Sequence, residues 1–161
     1  MDLIDWCISN KSGIKISEPN DNMCKSYMNM AEESIKILPN VSQSRIWTAT
    51  VSYYIFYYSL YALMLKIGVK SEKHTCSLEF MKQFLMNFYS EKEIKSISSA
   101  FSSRIDLQYY SDRPVDATAI QNSKRGCRDF YIKTKMIISK ITEKQVRAIR
   151  AALAERMHKT L

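Results

Sequence analysis

The pattern of apolar and polar positions divides this chain into helices, one of them apolar nearly all round. From Ile46 to Leu65 twenty consecutive residues carry no charge, and the run stops at Lys66-Ile67-Gly68. On a 3.6-residue period, Trp47, Val51, Tyr54, Tyr58, Ala62 and Leu65 form one face. Tyr53, Tyr57, Leu60 and Met64 form a second, and Phe56, Leu63 and Ile67 a third. Only Thr48, Ser52 and Ser59 make a narrow small-polar strip. Such a helix is buried, either at the centre of a bundle or in a membrane. Its length would span a bilayer, but the five tyrosines between Tyr53 and Tyr61 occupy its middle. Lipid-facing tyrosines sit at the ends instead. The expectation is a central helix from about Ser42 to Ile67, and no membrane.

The flanking patterns are amphipathic. Asp2 to Ile8 is a short piece closed by Asn10-Lys11-Ser12-Gly13. After Pro19, Asn20 or Asp21 caps a helix with Met23, Tyr27, Met30, Ala31, Ser34 and Leu38 inward, ended by Pro39. His74 or Thr75 caps the next, whose stripe is Leu78, Met81, Leu85 and Phe88. Ser90 and Glu93 form a capping box ahead of Ile94, Ile97 and Phe101. Beyond Pro114, Asp116 caps a long helix with Ala117, Ile120, Cys127, Phe130 or Tyr131, Ile137 and Ile141 inward. A second capping box, Thr142-Glu143-Lys144-Gln145, opens a basic helix with the narrow stripe Val146, Ile149, Leu153 and Met157.

With three Gly and three Pro, mostly between these segments, and no strand-like alternation, the chain reads as all-α. The expected architecture is an up-and-down bundle of four to five main helices plus a C-terminal helix. Residues 1–141 form the bundle, and 142–161 dock on it or on a second copy.

Charge adds one asymmetry. The net charge is +8, and residues 1–123 are balanced, with thirteen basic and thirteen acidic side chains. The excess lies between Lys124 and Lys159, which suggests an acidic partner or nucleic acid, or else a solvated helix face. Cys7, Cys24, Cys76 and Cys127 fall on four segments without a C-x-x-C pair, and are expected as buried free thiols. His74-Thr75-Cys76 offers two metal ligands, but nothing nearby completes a set of four. No metal and no cofactor are expected. The start, Met1-Asp2-Leu3-Ile4-Asp5, has no signal-peptide pattern, which predicts a cytoplasmic protein.

One residue breaks the apolar pattern. Extending the stripe Ile94, Ile97, Phe101 by one turn gives Arg104, and by another Gln108. A guanidinium in line with the core is costly unless the face opens into a cleft or an acid pairs with it. Asp106 is on another side of the same helix, so an ion pair would need Asp112, Asp116 or a more distant acid.

Three pieces together resemble a HEPN domain. Ala49-Thr50-Val51-Ser52-Tyr53-Tyr54-Ile55-Phe56-Tyr57 looks like that family's A-x-x-x-Y-Y-x-x-F helix, and Lys73-His74 is similar to its basic-His turn. Arg104-Ile105-Asp106-Leu107-Gln108-Tyr109-Tyr110 looks like its R-x-x-D-Y or R-x-D-x-x-Y helix end. The likeness covers about residues 20–141. It implies a dimerising helical bundle, often a metal-independent ribonuclease toxin paired with a nucleotidyltransferase antitoxin. The family's catalytic Arg is followed four to six residues later by a His. Arg104 matches the Arg, but the following positions are Tyr109, Tyr110 and Ser111, so the His is absent.

RNA cleavage through the 2′-hydroxyl needs a general base and acid near neutral pH, and an ordinary phenol, with a pKa of about 10, is a poor substitute. The expected function is therefore a cleft of Arg104, Asp106, Gln108, Tyr109, Tyr110 and His74 that binds a nucleotide, RNA or a nucleotidyltransferase partner. A homodimer in a toxin–antitoxin or defence system is the matching context. The alternatives are a ribonuclease using Arg104 with Tyr109, Tyr110 or His74, and a ligand-free scaffold with a basic tail.

Overall fold

The computed structural model describes residues 1–110 and 112–160. Among these residues the chain forms seven helices. They are α1 (Leu3–Ser9), α2 (Asp21–Ile37), α3 (Arg45–Ile67), α4 (His74–Phe84), α5 (Glu91–Tyr109), α6 (Ala117–Lys140) and α7 (Glu143–Thr160). A short 3-10 turn, Leu38–Val41, holds Pro39 at the end of α2. The protein is an all-α helical bundle, and no helix among the described residues is long and apolar enough to cross a membrane.

The tyrosine-rich α3 is the axis of the bundle, packed by α2, α5 and α6, with α4 and α7 at its end. Tyr53, Ile55, Leu60, Leu63 and Met64 are sealed from solvent. Two hydroxyls on this helix are satisfied by nearby carbonyls: Ser59 donates to that of Ile55 at 2.7 Å and Thr48 to that of Val41 at 3.1 Å. Ser44 caps its start by accepting from the Trp47 amide. Gly68 ends it in the left-handed conformation (φ 87°), which glycine adopts without a Cβ penalty.

The capping boxes at Ser90–Glu93 and Thr142–Gln145 both form, as does the Asp116 cap of α6. Four expectations are corrected. On α2 the inward residues are Cys24, Ala31 and the partly buried Met28 and Ile35, whereas Met23 and Met30 are exposed. The stripe keeps the expected Ala31 and Leu38, and Tyr27 packs on Tyr58 and Tyr61, while Cys24 and Met28 replace Met23 and Met30. Trp47 is also exposed, although Thr48, Ala49 and Thr50 beside it are buried. Lys73, and not His74 or Thr75, is the N-cap of α4, and it caps without a side-chain bond. Finally, Lys15–Ile16 and Val69–Lys70 pair as an antiparallel ladder, too short to leave an alternation in the sequence.

The cysteines depart further from expectation. Cys7 and Cys76 are joined in a disulfide with Cα atoms 5.5 Å apart, tying α1 to α4. Cys24 and Cys127 are free and buried, and burial pushes each thiol up to about 11, so neither is a nucleophile at neutral pH.

The helix α7 lies on the same bundle, against α1, α3 and α4, through buried Ile149 and Leu153. Arg150 donates to the carbonyls of Ser17, Ile67 and Gly68 at 2.7, 3.2 and 2.9 Å, where the α3 C-terminus concentrates negative dipole. Arg156 pairs with Asp5 at 2.7 Å and Asp2 at 3.4 Å.

Candidate functional site

Arg104 sits on the fourth turn of α5, where the apolar stripe of that helix faces α3. It is 8% exposed. Its guanidinium carbon lies 4.8 Å from the Tyr53 ring centre, 5.6 Å from that of Tyr54 and 5.8 Å from that of Phe101. The α3 tyrosines thus surround a cation with aromatic faces, each worth about 0.5–2 kcal/mol. One Nη donates to Gln108 Oε1 at 3.3 Å, and Gln108 in turn donates to Thr50 Oγ1 at 2.9 Å.

Among the described residues no acid forms the ion pair that would make Arg104 purely structural. Asp106 is engaged by Arg113 at 3.1 Å, and Asp116 caps α6. Nε of Arg104 is buried with no hydrogen-bond partner. A buried charge without its counterion costs several kcal/mol, and three aromatic faces with one long hydrogen bond offset only part of that cost. An unsatisfied polar atom of this kind needs an explanation, and an ordered water, an ion or a ligand beside the guanidinium supplies one.

The guanidinium forms the floor of a cleft of about 770 Å³. Leu3 and Trp6 of α1 make one wall. Lys73, His74 and Thr75, at the start of α4, make the second, and Ile105, Tyr109 and Tyr110 close the end. Tyr109 and Tyr110 are exposed, and Arg113 stacks on Tyr110 at 3.8 Å.

His74 is the second chemically distinctive group. Its ring lies 3.9 Å from that of Tyr57, nearly parallel to it, and its Nδ1 is 2.7 Å from the Tyr53 hydroxyl. Burial, followed by the nearby Arg104 charge, pushes its pKa down to about 4, so the imidazole is neutral at pH 7. Burial also drives the Tyr53 phenol well above its ordinary range, and the neighbouring Tyr57 adds to this. Tyr53 is therefore a donor that does not ionise. The bond between the phenol and Nδ1 fixes the orientation of the His74 ring.

Of the expected site residues, Arg104, His74, Tyr109 and Tyr110 come together at one cleft. Gln108 stands behind Arg104 and orients it, while Asp106 turns away toward Arg113. Ser111 lies outside the described residues. Trp6 and Leu3 were not legible as site residues, since nothing in the first segment marks which side faces a cleft. Among the described residues no group of three or more His, Cys, Asp or Glu gathers where a metal ion would sit.

Much of the basic C-terminal stretch is committed within the chain. Lys133 pairs with Glu93 at 2.6 Å, and Arg147 and Lys159 pair with Glu143 and Glu155. With Arg150 and Arg156 engaged as described, five of the eleven basic side chains from Lys124 to Lys159 are held within the chain.

No family model matches this chain, and no curated protein or solved structure is significantly similar to it.

Proposed function

We propose that this chain is a HEPN-like, non-catalytic binding protein whose Arg104-centred cleft receives the phosphate of a nucleotide or of single-stranded RNA. A homodimer working with a nucleotidyltransferase partner, as in toxin–antitoxin or defence systems, is the context the resemblance offers. The single observation that carries the reading is a buried guanidinium without an acid partner at the base of an aromatic cleft. Arginine suits the task because its planar fork grips phosphate through two bonds. The test is calorimetric binding of AMP and of a 5′-phosphorylated oligoadenylate, against adenosine as a control. Arg104→Ala should weaken phosphate-dependent binding by about 10- to 100-fold, as loss of a charge-assisted bond does. Unchanged affinity in that variant would remove Arg104 from the site.

One observation favours a second reading, an endoribonuclease. His74 shares the cleft with Arg104, so an Arg–His pair is assembled from α5 and α4 in place of one helix. An imidazole held at about 4 is a weak base, however, and weak bases abstract hydroxyl protons slowly. Incubation of a tRNA pool in EDTA decides between the two. Cleavage by wild type that is lost in both His74→Gln and Arg104→Ala would establish the enzyme, and intact RNA would leave the binding reading.

A further inference from the structure

We propose that Trp6 is the stacking platform for the base of the bound nucleotide, and that the Cys7–Cys76 disulfide holds it in register with Arg104. This inference rests on the binding reading given above and extends it to the ligand's second half. Trp6 belongs to the first nineteen residues, outside the resemblance, so the platform is this chain's own addition.

The geometry of α1 carries the argument. Its inward residues Ile4, Cys7 and Ile8 are buried, and Trp6 faces the other way, 41% exposed on the cleft wall. A large aromatic left partly in water on the cleft that Arg104 also lines is an unused contact surface. Lys73, which has no ion pair among the described residues, stands 5.7 Å from the indole centre. That is near the outer limit of a cation–π contact, so the flexible ammonium can yield its place to a base and turn to a phosphate. The cleft therefore offers two cations without acids and an open indole, which together complement a planar base that carries phosphate.

The platform is preorganised. Cys7 follows Trp6 in the chain, and its partner Cys76 lies two residues after His74, so one covalent bond fastens the two walls. The Ile14 amide donates to the Cys7 carbonyl at 2.8 Å, and Arg156 anchors Asp5 from α7. A wall fixed in advance spends little of its binding energy on ordering. The base must be unstacked to reach an indole, which selects a free nucleotide or a single strand over a duplex.

The experiment uses the full chain carrying Trp47→Phe, so that Trp6 is the only tryptophan and the exposed Trp47 no longer contributes. Its emission is followed during titration with AMP, with a 5′-phosphorylated oligoadenylate and with inorganic pyrophosphate. Quenching by the two adenine probes and not by pyrophosphate is expected. Trp6→Ala should weaken both adenine probes by about 10- to 100-fold, the worth of one base–aromatic stack, and leave pyrophosphate unaffected. Stronger binding of AMP identifies a free nucleotide, and stronger binding of the oligonucleotide a single strand. Both outcomes uphold the platform. The quench needs no change at Trp6, so it decides the matter even where Trp6→Ala fails to fold. Equal quenching by pyrophosphate, or wild-type affinity in Trp6→Ala while Arg104→Ala has lost binding, overturns this inference alone. No binding of any probe overturns it together with the binding reading.

Discussion

The Tyr53 hydroxyl and Nδ1 of His74 stand 2.7 Å apart, joining the central helix to the first residue of α4 at the edge of the Arg104 cleft. Tyr53→Phe keeps the ring and removes only this bond. It should lower stability by about 0.5–1.5 kcal/mol and release the orientation of the His74 ring, visible in the imidazole nitrogen spectrum. Unchanged imidazole shifts would show that the bond does not orient the ring.

His74 also makes stability depend on pH. Its folded pKa is depressed to about 4 from an ordinary 6.5, so between these values the unfolded chain takes up a proton that the folded chain refuses. Stability from this group is complete above about 6.5 and is lost as pH falls toward 4. Urea unfolding across that window should show a shallower decline in His74→Gln. Because the Arg104 charge is part of the cause, Arg104→Ala should move the His74 titration upward, and an unmoved titration would separate the two groups.

Arg104→Met tests whether the guanidinium serves the fold. Breaking a buried ion pair loses about 3–5 kcal/mol. Here no acid is orphaned, and release of the buried charge's desolvation cost offsets the lost aromatic contacts and Gln108 bond, so the expected net loss is about 1 kcal/mol. Little change in melting temperature alongside lost phosphate binding is the predicted combination. A loss of ion-pair size would make Arg104 a structural residue.

The disulfide can be counted directly. Denatured, unreduced protein should expose two thiols, Cys24 and Cys127, and four after reduction. The bridge closes a loop of 69 residues, for which the chain-entropy model gives about 4 kcal/mol, so the double variant Cys7→Ser, Cys76→Ser should unfold at clearly lower denaturant. Four thiols before reduction would contradict the bridge.

Arg150→Ala strips three carbonyls of their shared donor and should cost about 2–4 kcal/mol, since charge-assisted bonds are the strong ones. Arg147→Ala, one turn earlier and in an exposed i,i+4 pair, should cost less than about 0.5 kcal/mol. Equal effects would mean that α7 is held by its apolar stripe alone.

Amino-acid order alone encodes the helical class, the central place of the tyrosine-rich helix and the two capping boxes. Periodicity, Gly and Pro punctuation and cap chemistry are local, and they act within a few turns of one segment. It also determined that Arg104 stands in line with a core face, because a charge interrupting an apolar stripe is visible in one dimension. What shares a cavity with that charge was decided only by tertiary structure. Trp6 and His74 line the cleft of Arg104 from α1 and α4, and Asp106 is turned aside by Arg113. Cys7 meets Cys76 across 69 residues, a pairing set by how α1 and α4 pack. The replacement of Met23 and Met30 by Cys24 and Met28 on α2 has the same origin: alternative stripes on one helix are nearly equal in apolar content, and only the neighbour that covers one of them chooses.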